Sequence, residues 1–170
     1  MRTIRLLLMV GALAGCSRHS SPTGPGGPAP TRGEIWAAIQ PQAQRYRIEP
    51  AFIYALVAAE SNFDPAARND SARGLLQLKP AAWRTVSRVP YEPTVWDWRI
   101  NLEVGIDYLA YARSYLHKKN AFSYPLLLAS FHYGLDYVED HQFDLRRIPV
   151  PDNPVYHQLW DGNLAPVPPP

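Results

Sequence analysis

The residue of this sequence best placed to move a proton is a carboxylic acid at the end of an apolar helical stripe. After Pro50, the residues Ile53, Leu56, Val57 and Glu60 follow the i, i+3, i+4, i+7 spacing of one helix face. Three are apolar and the fourth is an acid. A carboxylate there is disfavoured twice, by partial burial and by the negative end of the helix dipole. The predicted consequence is a raised pKa, which suits a group that donates a proton near neutral pH. Periodicity alone leaves a second reading open, with Glu60 at the solvated rim of the stripe. Other polar groups are less well placed. Asp64 precedes Pro65 and suits the shaping of a turn, and Asp70 reads as a solvated turn residue. His132 and Asp136 share a helix face at i, i+4, and His141 follows. They lack a Cys partner or a His-Glu-x-x-His pattern, so no metal is expected, and no cofactor.

The elements that must position these residues are helical. Ile35, Ala38 and Ile39 begin a first helix, expected to break near Pro41. Pro50, Pro80, Pro125 and Pro154 each stand where a helix can open, because the first helical position needs no N–H. Asn101 is a candidate cap for a long helix carrying Leu102, Ile106, Leu109 and Leu116. The helix after Pro125 is expected to carry Leu127, Leu128, Phe131 and Leu135, and a last one to run from Pro154 to Trp160. No segment alternates as a strand does. The pattern predicts one all-α domain of five to seven helices over residues 33–163. Many aromatic side chains, Tyr108 and Tyr133 among them, are available for the core or for stacking on flat apolar faces. Trp36 and Trp160 are placed to hold the ends of the domain.

The residues around Glu60 carry a more specific pattern. Glu60-Ser61-Asn62-Phe63-Asp64-Pro65-Ala66-Ala67 is followed by Gly74-Leu75-Leu76-Gln77-Leu78-Lys79-Pro80. This resembles the lytic transglycosylases of the soluble lytic transglycosylase (SLT) type, with their Glu-Ser-x-Phe-x-Pro-x-Ala and Gly-Leu-Met-Gln segments. Asn101, Gly105, Tyr108 and Leu109 match the family's Asn-x-x-x-Gly-x-x-Tyr-Leu helix. Ala129 to Gly134 stand where the family has Ala-Ala-Tyr-Asn-x-Gly. Ile148-Pro149 opens a segment that aligns Asp152, Asn153 and Tyr156 with the family's Glu, Thr and Tyr. The resemblance covers about Pro50 to Gln158.

The resemblance implies a lysozyme-like, goose-type helical domain acting on peptidoglycan glycan strands. It implies cleavage of the β-1,4 bond between N-acetylmuramic acid and N-acetylglucosamine, with Glu60 as the catalytic acid and base. Ser61 would support the site's hydrogen bonding. Gly74, Leu75, Leu76 and Gln77 would floor a cleft, with Gln77 facing the sugar, and Tyr156 would reach toward Glu60. Asn69, Phe131 and His132 would also contact substrate. The sequence departs from the family pattern at several of these positions. The stretch between Ala67 and Gly74 is one residue short, Asn69 stands in place of a Ser, Leu76 of a Met, and Phe131-His132 of Tyr-Asn. Two alternatives follow. A water-positioning Asp64 or Asp70 would make the enzyme a hydrolase of the goose-lysozyme kind. A decayed cleft would leave a peptidoglycan-binding lipoprotein.

The two ends of the chain read differently from its middle. Arg2 and Arg5 precede the apolar run from Leu6 to Leu13, too short for a membrane-spanning helix of about 20 residues. Leu13-Ala14-Gly15-Cys16 then resembles a lipobox. Residues 1–15 are accordingly expected to be a lipoprotein signal peptide, and Cys16, the only cysteine, the lipidated residue. Residues 16–32 are rich in Pro, Gly and Ser and read as a flexible tether, and residues 164–170 as a Pro-rich tail. Of the 17 Lys and Arg, two lie in the signal, and the rest balance the 15 acidic residues. A neutral mature chain gives no electrostatic basis for nucleic-acid binding. Ser17 rather than an Asp follows Cys16, which under the enteric sorting rule favours the periplasmic face of the outer membrane. The expected state is a lipid-anchored monomer.

Overall fold

The computed structural model describes residues 28–170. The expected signal peptide, Cys16 and most of the tether lie outside the described residues. Seven α-helices account for the domain: α1 (Arg32–Tyr46), α2 (Pro50–Ser61), α3 (Pro80–Val86), α4 (Trp98–Lys118), α5 (Tyr124–Tyr133), α6 (Leu135–Asp140) and α7 (Pro154–Trp160). Two short strands, β1 (Arg68–Asn69) and β2 (Ala72–Arg73), pair antiparallel in a hairpin that the sequence pattern did not predict. At two residues per strand, no alternation could have shown it.

Helix α1 starts at Arg32 on a capping box. The Thr31 hydroxyl accepts from the Glu34 N–H (3.2 Å), and the Glu34 carboxylate accepts from the Thr31 N–H (2.8 Å). The helix does not break at Pro41 but runs through it. Pro41 removes the hydrogen bond to the Ala37 carbonyl, and both residues lie on the exposed side, where water can satisfy that carbonyl. The opposite face, Ile35, Ile39 and Ala43, stays buried. Helix α2 opens on Pro50 as expected, and every residue from Phe52 to Val57 is buried. It is therefore not a surface helix with one apolar stripe. It packs against α1 on one side and α7 on another.

The long helix α4 begins three residues before the expected cap. Its N-cap is Asp97, whose carboxylate accepts from the N–H groups of Arg99 (2.9 Å) and Ile100 (3.3 Å). Asn101 is instead fully buried within the first turn. Its amide donates to the carbonyls of Arg73 (3.0 Å) and Val95 (3.2 Å), and its oxygen accepts from the Leu76 N–H (3.0 Å). The bonds to Arg73 and Leu76 tie the end of β2 and the loop after it to α4, and the bond to Val95 holds the turn that leads into α4. Two glycines permit the approach. A Cβ on Gly74 (φ +75°) would lie 2.3 Å from Asn101 Nδ2, and one on Gly105 would lie 2.3 Å from Leu76 Cδ1. The segments Gly74-Leu75-Leu76 and Asn101-x-x-x-Gly105 are thus two halves of one packing lock.

Helix α5 is capped by Ser123 and ends at Gly134 (φ +93°), which separates it from α6. Leu135 therefore belongs to α6 and not to the helix that opens near Pro125. The tail is not free of the domain. Leu164 and Val167 lie against the core, as Trp36 and Trp160 do near the two ends. An extended Pro-rich run has few N–H groups to satisfy and can be laid along a surface. Among the described residues no helix is long and apolar enough to cross a membrane.

Candidate active site

Glu60 occupies the last turn of α2, which closes on Asn62 in the left-handed conformation (φ 49°). Its carboxyl group is turned into a cleft of about 640 Å³. One wall is the β-hairpin with the start of α3. The other is the end of α5 with the segment leading into α7. Burial raises the pKa of Glu60 to about 7, with a hydrogen bond from Tyr156 and the charge of Lys79 pulling in the opposite direction. At neutral pH the group is therefore divided between acid and carboxylate, as a residue that gives and retakes a proton requires.

The neighbour that meets Glu60 comes from 96 residues further along the chain. Tyr156 is only 3 % exposed, and its hydroxyl donates to Glu60 Oε1. Burial first, and then the negative charge of Glu60, hold the phenol well above its ordinary pKa, so it remains a donor. Asn153 brings the two helices into register. Its oxygen caps α7 by accepting from the N–H groups of Val155 (2.9 Å) and Tyr156 (3.3 Å). Its amide donates to the Ala59 carbonyl (3.3 Å), next to Glu60. One side chain thus joins the start of α7 to the end of α2. The His132 ring stands edge-on to Tyr156 at 5.1 Å, and partial burial, with Lys79 adding to it, lowers its pKa.

Six of the residues singled out from sequence line the cleft: Glu60, Asn69, Gln77, Phe131, His132 and Tyr156. Four do not. Leu75 and Leu76 have no exposed surface, and Gly74 is buried beside Asn101. They lie under the cleft floor and hold it in place without touching its space. Gly74 lies against Asn101 and Leu76 against Gly105, so the packing lock with α4 holds this segment inward. Ser61 hydrogen-bonds the Val57 carbonyl of its own helix (3.1 Å) and is turned away from the cleft. Gln77 does face the cleft, but its amide nitrogen donates to the carbonyls of Ala67 (3.0 Å) and Gly74 (2.8 Å). Only its oxygen is left to accept from a ligand.

Among the remaining acids, Asp64 shapes its turn by accepting from the Ala66 N–H (2.9 Å). Asp70 is exposed in the hairpin turn (φ 47°), though it borders the cleft, as Asp152 does. His132 and His141 do not converge. His132 contacts Tyr156, whereas His141 stacks on Tyr137 at 4.1 Å. Among the described residues no three metal-ligating side chains lie together. Sequence reasoning missed Lys79, a cation on the cleft wall. Its position directly before Pro80 was visible, but nothing in the sequence told which way it points.

Comparison with known proteins gives the family and the fold. The family model described as the transglycosylase SLT domain matches residues 37–142, more than half of the chain, and the protein belongs to that family. The matched range contains Glu60, the Gly74–Gln77 segment and Asn101, while Tyr156 lies beyond it. Among solved structures, the chain is similar in fold to the lytic transglycosylase Slt of Pseudomonas aeruginosa, determined as an inactive mutant. The TM-score is 0.53 at 21 % identity, over 73 % of this chain and 20 % of that one. The likeness thus spans about one fifth of that protein and shows a shared fold, here mostly helical with one two-stranded hairpin. No curated protein sequence gives a match.

Proposed function

We propose that the protein is a peptidoglycan lytic transglycosylase, cleaving the β-1,4 bond between N-acetylmuramic acid and N-acetylglucosamine. The observation that carries this reading is Glu60 itself, with a pKa raised to about 7 and the Tyr156 hydroxyl on one oxygen, in a cleft open to a strand. Protonated Glu60 gives its proton to the glycosidic oxygen as the bond to C1 of the muramic acid breaks. The leaving N-acetylglucosamine departs with a 4-hydroxyl. Glu60, now a carboxylate, accepts the proton of the substrate's own C6 hydroxyl while that oxygen closes on C1. The product end is a 1,6-anhydro ring, no water is consumed, and the acid is restored. Tyr156 stabilises the carboxylate between the two transfers. The substrate's N-acetyl group can stabilise the cationic centre, so a second protein carboxylate is not required.

The test is a product analysis. Digested sacculi are expected to release muropeptides with anhydro ends, and Glu60→Gln to release none while remaining folded. Reducing ends alone would establish hydrolysis, for which Asp70 at the cleft edge is the residue to examine. Sacculi left intact by the unaltered protein would leave a binding lipoprotein. Cys16 within Leu13-Ala14-Gly15-Cys16 further supports anchoring by acyl chains, with the domain on the periplasmic face of the outer membrane.

A further inference from the structure

Lys79 is a feature of the cleft that the acid–base chemistry above does not use. It stands at the mouth of α3 as the residue before Pro80, makes no cap hydrogen bond with its side chain, and is exposed on the cleft wall. Two acids, Asp70 and Asp152, border the same cleft, yet among the described residues no carboxylate lies within 4.0 Å of the Lys79 ammonium. The ion pairs among the described residues are made by Lys119, Arg146 and Arg147. Its charge nevertheless reaches the centre of the site, since both Glu60 and His132 feel it. An ammonium without an acidic partner among the described residues, lining the same cleft as Glu60, is a binding position for an anion of the ligand.

We infer that Lys79 is a specificity-determining residue that binds a carboxylate of the glycan strand close to the bond being cleaved. The inference rests on the glycan-cleaving reading of the cleft and goes further than it, because an uncharged β-1,4 glycan would satisfy Glu60 and Tyr156 equally well. The muramic acid residue supplies carboxylates from two sources. In a peptide-free strand its lactyl group ends in a free carboxylate. In a peptide-bearing strand that group is an amide, and the carboxylates belong to the stem peptide. Either would place a negative charge near the scissile bond, where the flexible Lys79 side chain can meet it.

The experiment compares the full-length protein with Lys79→Met, Lys79→Arg and Arg84→Met. Arg84 is an exposed cation of the same helix that does not line the cleft. Each is also combined with Glu60→Gln, so that binding is read without turnover. Three glycans are used: peptide-free strands, peptide-bearing strands and an uncharged chitin oligomer. Lys79→Met is expected to weaken binding of at least one carboxylate-bearing strand about tenfold, the scale of one charge-assisted hydrogen bond. It should leave the chitin oligomer unchanged. Lys79→Arg should retain most of the affinity, Arg84→Met all of it, and the Lys79 contribution should shrink in high salt. A loss confined to peptide-free strands identifies the lactyl carboxylate, and one confined to peptide-bearing strands the stem peptide. Equal loss on all three glycans, or none on any, overturns the inference. So does a Lys79→Met enzyme whose pH profile moves while its KM for charged strands does not, because Lys79 would then act only on Glu60. Failure of the unaltered protein to cleave any strand would instead remove the functional reading beneath it.

Discussion

At the scale of the residue, the protonation of Glu60 links activity to stability. Its folded-state pKa of about 7 lies above the ordinary 4.5, because the ionised form is poorly solvated in the cleft wall. The folded state therefore favours the protonated group. Its contribution is fully present below about pH 4.5 and is lost as pH rises through about 7. Glu60→Gln removes that penalty and leaves an oxygen for Tyr156 to bond. Denaturation across pH should find the variant more stable than the parent at pH 8, by up to about 3 kcal/mol, with the difference vanishing toward pH 4. A difference independent of pH would place Glu60 in water. Tyr156→Phe acts in the opposite direction on the same group. Losing the donor withdraws support from the carboxylate, so the Glu60 pKa rises further. The alkaline limb of the pH–rate profile should move upward, while the maximal rate falls because the returning base is less well held. An unmoved limb would reduce Tyr156 to a packing residue.

Positioning is achieved at the scale of the element, by two polar side chains that join segments distant in sequence. Asn153 ties α7 to the last turn of α2 and so delivers Tyr156. Asn101, inside α4, holds the loop that carries the cleft floor. Asn101→Ala would leave the buried Leu76 N–H without a partner and open space beside Gly74. A loss of about 1–3 kcal/mol of stability is expected, measured by denaturant titration. Gly74→Ala should be at least as harmful. Its φ of +75° is strained for any side chain, and the added Cβ would collide with an Asn101 amide already held by three hydrogen bonds. Both variants should also disturb activity, since Gln77 and the hairpin hang from the same loop. A Gly74→Ala protein of unchanged stability would show that Asn101 can yield, and that the two segments are not locked.

At the scale of the whole molecule, no helix among the described residues is long and apolar enough to cross a membrane, and the proposed anchor is Cys16. Cys16→Ser is expected to release the protein from the membrane fraction and end labelling by a fatty acid, while cleavage of dissolved strands continues unchanged. Retention of the label would locate the attachment elsewhere. Much of this protein was legible in its sequence. Helical periodicity and prolines at helix starts marked α2, α3, α5 and α7, because apolar spacing and the missing proline N–H act within one turn of chain. The position of Glu60 at the end of α2, with a pKa predicted to rise, followed from the same local pattern. Other features depend on which segments meet, and local pattern does not hold that information. Pro41 was tolerated because its face of α1 is solvated. Asn101, a good cap by type, was drawn into the core by the backbone of a loop 25 residues away. Leu76 turned inward against Gly105, Leu75 was buried beside it, and Ser61 turned toward its own helix. Tyr156 meets Glu60 where α7 packs on α2, a neighbour that the family resemblance implied and local pattern did not. The sequence by itself determined where most of the helices start and that Glu60 ends an apolar stripe, through interactions a few residues long. Only the tertiary structure decided how deeply that acid is buried and how it is hydrogen-bonded, because its surroundings come from helices nearly a hundred residues apart.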